Sequence, residues 1–338
     1  MIDLSMKYLG LELSGPVVVG STPLTDLPEN LRQMEDCGAS AVIFPSLFEE
    51  QLDLEAQALD ADLSRGTESF AESLFYLPEQ SDYRMSHEVY LEHLHRASHG
   101  LDIPVIASLN GNTPGGWIRY AIDLERAGAA AIELNTFALA TDASQTSELI
   151  ENNLVELVSS VCKAVKIPIA VKLSQNFTSL PALAARLEQA GAAGVVLFNR
   201  FYQPDFDIEA LEVKPTLHFS TPSELLPRLH WAAILYGHIK GDIGITGGVH
   251  SAEDVIKAVM AGASMTSIVS ALHLHGIGHI ASVLHDLNVW LEKHECNSLG
   301  EIRGCLSRRS VPDTSAYDRG NYIKTLSSYS MKLRTTHF

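Results

Sequence analysis

Cysteine is scarce: Cys37, Cys162, Cys296 and Cys305 are scattered through 338 residues with no C-x-x-C pair. That spacing argues against a structural zinc site, a redox dithiol or an iron–sulfur cluster held by this chain, and the thiols read as reduced and structural. No run of about 18 apolar residues occurs, which excludes a membrane-crossing helix as the reading of any segment. The opening "MIDLSMKYLG" lacks a basic stretch followed by an apolar one, so the expectation is a cytoplasmic protein. Positive charge is also in deficit, 24 basic against 41 acidic residues for a net −17, and such a field repels nucleic acid and anionic membranes as partners. A glycine-rich dinucleotide fingerprint is missing too: "GSTPLTDLP" follows the first apolar run, which argues against a doubly wound open sheet.

What the chain does have is 46% hydrophobic and only 19% charged residues, enough for a sizeable core. One short pattern recurs in it: "CGASAVIFP", "AGAAAIELN", "AGAAGVVLFN" and "AGASMTSIVS". Glycine suits the position just past a helix because it adopts the left-handed conformation without a Cβ penalty, and the apolar run after it suits a strand buried on both faces. Segments with apolar residues three and four apart precede these glycines, as in "GWIRYAIDLERAG" and "LPALAARLEQAG". "DIPVIASLNG" and "KIPIAVKLSQ" announce two more strands, since proline is tolerated where a strand begins.

The predicted strands are Val17–Gly20, Ala41–Pro45, Val105–Leu109, Ala131–Asn135, Ile169–Leu173, Gly194–Phe198, Asp242–Thr246 and Ser267–Ala271. Eight buried strands alternating with helices are the pattern of an α/β protein with a (β/α)8 TIM barrel, a single domain with long insertions after strands 2 and 6. The barrel is expected over residues 1–314, with a C-terminal tail at 315–338. The histidines of "SHEVYLEHLHRASHG" and "HLHG" read as solvated helix faces rather than metal ligands, so no metal is expected.

In such a barrel the site lies past the C-terminal strand ends. There the sequence places Gly20 and Ser21, Ser46, Asn110, Asn135 and Thr136, Lys172, Asn199, Gly247 and Gly248, and Ser270 and Ala271. Amides and hydroxyls supply donors and acceptors together, which suits a planar polar ligand. A Gly-Gly after strand seven, with the turn after strand eight, suits a phosphate. Lys172, in an apolar strand, needs an anion or an acid such as Glu133. It could also serve as a Schiff-base nucleophile.

The ordered motifs "DLSMKYLGLELSGPVVVGSTPLT", "ELN", "VKLS", "LFN", "GITGGV" and "GASMTSIVSAL" resemble those of dihydroorotate dehydrogenases, nearest the soluble class 1 enzymes, over about residues 3 to 300. The resemblance implies FMN at the barrel mouth and oxidation of dihydroorotate to orotate, a step of pyrimidine biosynthesis. It implies that Gly20, Ser21, Ser46, Asn110, Asn135 and Lys172 contact the flavin, Lys172 near N1. Gly247, Gly248, Ser270 and Ala271 would cradle its phosphate, and Asn135 and Asn199 would hold the substrate. It also implies a homodimer and a redox partner or diffusible compound as electron acceptor.

Two departures stand out. The catalytic base, cysteine or serine in the family, is replaced by Ala138, and a substrate asparagine by Ala140. Pro45 stands where many relatives have lysine. Thr136 and Thr141 are the hydroxyls left near the base position. The substrate is therefore expected to differ from dihydroorotate, or the chain to be a non-catalytic flavin-binding partner of a redox complex. A phosphosugar aldolase or isomerase using Lys172 is the other alternative.

Overall fold

The computed structural model describes residues 2–49, 87–111, 113–136, 140–200 and 204–334. Eight parallel strands close a barrel: β1 (Val17–Val19), β2 (Val42–Phe48), β3 (Val105–Asn110), β4 (Ala131–Asn135), β5 (Ile169–Leu173), β6 (Gly194–Leu197), β7 (Asp242–Thr246) and β8 (Met265–Ile268). They pair in chain order, and β8 returns to β1 through Thr266, Ser267 and Ile268 opposite Val17, Val18 and Val19. The surrounding helices are α1 (Pro28–Asp36), α2 (His87–Gly100), α3 (Pro114–Arg126), α4 (Ser147–Ala164), α5 (Leu180–Gln189), α6 (Leu225–Leu235), α7 (Ala252–Ala261), α8 (Ser270–His275), α9 (His279–Lys293) and α10 (Gly320–Arg334). The (β/α)8 reading is therefore correct.

The repeated glycines do what their pattern implies. Gly38, Gly128, Gly191 and Gly262 all have positive φ, between 93° and 117°, at the turn from a helix into the next strand. Three glutamates that precede them by three residues share a second task. Glu35 accepts the backbone N–H groups of Asp102 and Ile103, Glu125 those of Lys166 and Ile167, and Glu188 those of Lys240 and Gly241. Each carboxylate thus pins the entry of the strand after next with two charge-assisted bonds.

The bottom of the barrel is closed by a hairpin, Met6–Tyr8 paired with Leu11–Leu13. Tyr8, Leu9 and Leu13 pack into an apolar layer with Val18, Ile43, Ile106, Ala131, Ala170, Val196 and Met265. Leu9 N–H also donates to Asp242 Oδ2 at 2.8 Å.

Several boundaries differ from expectation. Strand eight runs Met265–Ile268, not Ser267–Ala271, because the chain turns at Val269 and begins α8 at Ser270. Strand two extends through Pro45 to Phe48, with a register shift between Ile43 and Ser46 that absorbs the proline. Strands one and six stop one residue early, at Val19 and Leu197. The insertion after β6 contains a hairpin, Asp205–Asp207 with Glu212–Lys214, before α6. Most of the insertion after β2 lies outside the described residues. Within 315–338, residues 320–334 form α10, on which Tyr322, Ile323 and Leu326 are exposed.

Candidate functional site

Side chains two residues apart on a strand share a face, so the inward register of the apolar layer continues upward. Ile106 leads to Ser108, Ala131 to Glu133 and Asn135, Ala170 to Lys172, and Met265 to Ser267. The barrel interior therefore changes from apolar to polar within one layer. There Lys172 Nζ donates to Glu133 Oε1 at 2.9 Å, with the lysine side chain 13% and the glutamate 2% exposed. The lysine thus has an acid partner and still reaches the space above. Below the pair, burial pushes the Tyr8 phenol well above its ordinary range, and the charges of Glu133 and Asp242 add to this, so the hydroxyl stays neutral.

Above the layer, polar groups cross the mouth in a chain. Ser46 Oγ lies 2.6 Å from Ser108 Oγ and 3.5 Å from Ser21 Oγ; Asn135 Nδ2 donates to Ser46 at 3.5 Å, and Asn199 Nδ2 donates to Asn135 Oδ1. On the opposite side, Gly247 and Gly248 have φ of 86° and 81°. A Cβ on Gly248 would stand 2.5 Å from the backbone nitrogen of Leu225, so the turn admits no side chain there. Ser220 Oγ accepts the Gly248 N–H at 3.2 Å and donates to Ser270 Oγ at 2.9 Å, and Ser220 N–H donates to Ser270 Oγ at 3.0 Å. Three loops thus converge on a cup of hydroxyls and glycine backbone.

Between these two sides lies a cavity of about 460 Å³, within the usual range for small-molecule sites. Of the residues expected at the site, Ser21, Ser46, Asn135, Lys172, Asn199, Gly247, Gly248 and Ser270 line it. Gly20, Asn110 and Ala271 are not among its lining residues. Gly20 is still demanded by the site, because a Cβ there would collide with Ser267 Oγ and Val269 Cγ2. Ala138 lies outside the described residues. Thr136 and Thr141 do not line the cavity: the Thr136 hydroxyl donates to the Lys172 carbonyl at 2.8 Å, and Thr141 is exposed, as is Ala140.

The cavity also contains residues not expected to bind there: Ser267, Phe219 and Ser220, together with His273, expected on a solvated helix face, and Arg200, at the end of strand six. Ser267 Oγ is buried without a hydrogen-bond partner and lines the wall. An orphaned buried hydroxyl beside a cup that excludes side chains fits a polar, phosphate-bearing ligand such as FMN. His273, Phe219 and Arg200 form the rim. His273 stacks on Phe219 with ring centroids 5.2 Å apart, and its Nε2 lies 2.9 Å from Thr22 Oγ1. Arg200 pairs with Glu224 at 3.1 Å. Correct registration of strand eight would have revealed Ser267, since period two from Met265 points it inward. Ser220 and Phe219 follow a non-repeating insertion and carry no local signal. His87 and His93 face Asp123 and Asp26 at 3.2 and 3.3 Å.

Residues 83–291 match the family model described as dihydroorotate dehydrogenase. The chain is 32% identical over 213 residues to a provisionally named dihydroorotate dehydrogenase A (fumarate) of Aeropyrum pernix, an alignment covering 61% of this chain and 68% of that protein. It is 25% identical over 313 residues, 89% of this chain and 98% of the other, to the catalytic subunit of dihydroorotate dehydrogenase B (NAD(+)) of Pyrococcus abyssi. The corresponding subunit of Shouchella clausii is 27% identical over 213 residues, 60% of this chain and 68% of that one. A closed eight-stranded barrel, a glycine turn after β7 and a family match spanning more than half of the sequence agree: the chain belongs to the dihydroorotate dehydrogenase family.

Proposed function

We propose that the protein is an FMN-dependent oxidoreductase acting on a CH–CH bond of a polar, dihydroorotate-like ring. The observation that carries this reading is the meeting, in one cavity, of a glycine and serine cup with an amide pair and a cation. Gly247, Gly248, Ser220 and Ser270 would hold the phosphate. Ser21, Ser46, Ser267, Asn135 and Lys172 would hold the ring system, and bound FMN would supply the hydride acceptor. Asn135 and Asn199, joined through their amides, would orient the substrate by its carbonyl and N–H edges. Lys172, fixed by Glu133, brings positive charge to the cavity floor and would stabilise negative charge on a reduced ring system held there.

The substrate half is thinner. Ala138 and Ala140 replace the base and the asparagine of the family pattern, and neither Thr136 nor Thr141 is poised to accept a proton. The substrate is therefore a relative of dihydroorotate rather than dihydroorotate itself. Anaerobic mixing tests this: purified protein should be yellow, and its flavin should bleach slowly or not at all with dihydroorotate. Rapid, complete bleaching would identify dihydroorotate as the substrate, and colourless protein that ignores added FMN would sink the flavin reading.

The missing base favours one second reading, a non-catalytic flavin-binding partner of a redox complex; stable flavin that co-purifies with another redox protein would point there. The aldolase reading is weaker, because the Lys172 nitrogen is engaged as a donor to Glu133 rather than free as a nucleophile. In either flavin reading the electron acceptor is a partner protein or a diffusible compound. Exposed Phe206, Ile208, Leu211 and Val213 on the insertion hairpin favour a homodimer that covers them. No helix among the described residues is long and apolar enough to cross a membrane, and a cytoplasmic role in pyrimidine metabolism is part of the same proposal.

A further inference from the structure

Behind the glycine turn stands a cation with no role in the reading above. Arg228 lies in α6 and is only 4% exposed. Its Nε donates to the Thr246 carbonyl and its Nη1 to the Glu224 carbonyl. A Cβ on Gly247 would stand 2.8 Å from Arg228 Nη2, so the guanidinium packs directly against the turn. No carboxylate forms a salt bridge with Arg228 among the described residues. The nearby acid, Glu224, pairs instead with Arg200 at 3.1 Å. Among the described residues Glu224 is thus one carboxylate facing two guanidiniums, Arg200 as an ion pair and Arg228 at longer range, and the excess positive charge is buried beneath the cup. Burial pushes the Arg228 pKa down, with Glu224 opposing and Arg200 reinforcing that shift. A guanidinium nevertheless stays protonated, so the desolvated charge calls for an anion.

The same contacts orient the turn. The Thr246 carbonyl is drawn toward Arg228, and in a trans peptide the following N–H points the opposite way. The Gly247 N–H is thereby turned away from α6, at a residue that lines the cavity. We propose that Arg228 is a positioning residue that makes this end of the cavity selective for a phosphate monoester over the corresponding uncharged alcohol. It does so by holding the Gly247 peptide in its donor orientation and by placing charge behind it. The inference rests on the flavin reading only for the identity of the ester.

The test compares FMN with riboflavin, which differ by that phosphate alone, using equilibrium binding to the full chain. Arg228→Met should weaken FMN binding by about tenfold or more, the scale of one lost charge-assisted interaction, and leave riboflavin within about twofold. Arg228→Lys should recover part of the loss. Equal weakening of both flavins, or unchanged FMN affinity in a folded Arg228→Met protein, overturns the proposal. Should that variant fail to fold, the wild type decides: FMN affinity must fall with added salt while riboflavin affinity does not, and a flat FMN response overturns it. If the wild type binds neither flavin, the flavin reading fails, and inorganic phosphate becomes the probe. Phosphate binding that disappears in Arg228→Met supports the assignment; a wild type that does not bind phosphate overturns it.

Discussion

Around the mouth of the barrel, the side built by β7 and β8 and the side built by the segment after β4 differ in how their polar groups are tied down. On the first, Ser220, Gly248 and Ser270 bond to one another across long sequence separations, and two left-handed glycines fit against α6. On the second, residues 140–146 are exposed and their hydrogen bonds are local, such as Ser144 N–H to Asp142 Oδ1 at 2.8 Å. A side constrained by tertiary contacts on every loop cannot drift without losing its shape, whereas an exposed loop with local bonds can exchange residues freely. The residues proposed to hold the cofactor phosphate lie on the constrained side, and Ala140 falls on the free one.

The largest effect should come from the pair beneath both sides. Lys172→Ala strands the buried Glu133 carboxylate and should cost about 3–5 kcal/mol of stability; adding Glu133→Gln should restore most of the melting temperature without restoring flavin reduction. Unchanged melting of the single variant would show that the pair is solvated. Next, Gly248→Ala drives a Cβ toward the Leu225 backbone at a left-handed position, and FMN affinity should fall about 100-fold, roughly 2.7 kcal/mol. Calorimetric titration showing a loss of less than about fivefold would mean that the turn adapts and that the two sides are less different than they look.

Glu125→Ala serves as a control far from the mouth. Two backbone N–H groups at 2.7 and 3.1 Å lose their acceptor, so denaturant unfolding should register about 1–3 kcal/mol, with FMN affinity unmoved. The smallest effect belongs to the free side: Thr141→Ala should leave flavin reduction by the true substrate within about twofold, an energy near thermal noise. A drop of about 100-fold, or 2.7 kcal/mol, would make Thr141 the missing proton acceptor.

The helix-to-strand glycines were legible because a left-handed turn leaves a residue type as its signature, and the buried strands because both faces must be apolar. Glu35, Glu125 and Glu188 were visible in "EDCG", "ERAG" and "EQAG", but their partners lie 41 to 68 residues away, from Glu125 with Lys166 to Glu35 with Ile103. The end of strand eight was misplaced because "SIVSAL" is apolar enough for either a strand or a helix start. Ser267 was then missed as a wall residue. Arg228 was not singled out: it is a charge among apolar positions in "LLPRLHWAAIL", and nothing local says which turn lies above it.

By itself the sequence determined the barrel, the order of its strands, the glycine turn and the family resemblance, since each rests on periodicity or on a residue whose backbone preference is local. Only the tertiary structure decided that Lys172 answers to Glu133, that Ser220 closes the cup, that Thr136 is spent on a carbonyl and that a surplus guanidinium lies behind Gly247. Those facts depend on which loops meet at the rim, and closure of the barrel sets that meeting through contacts distant in the chain.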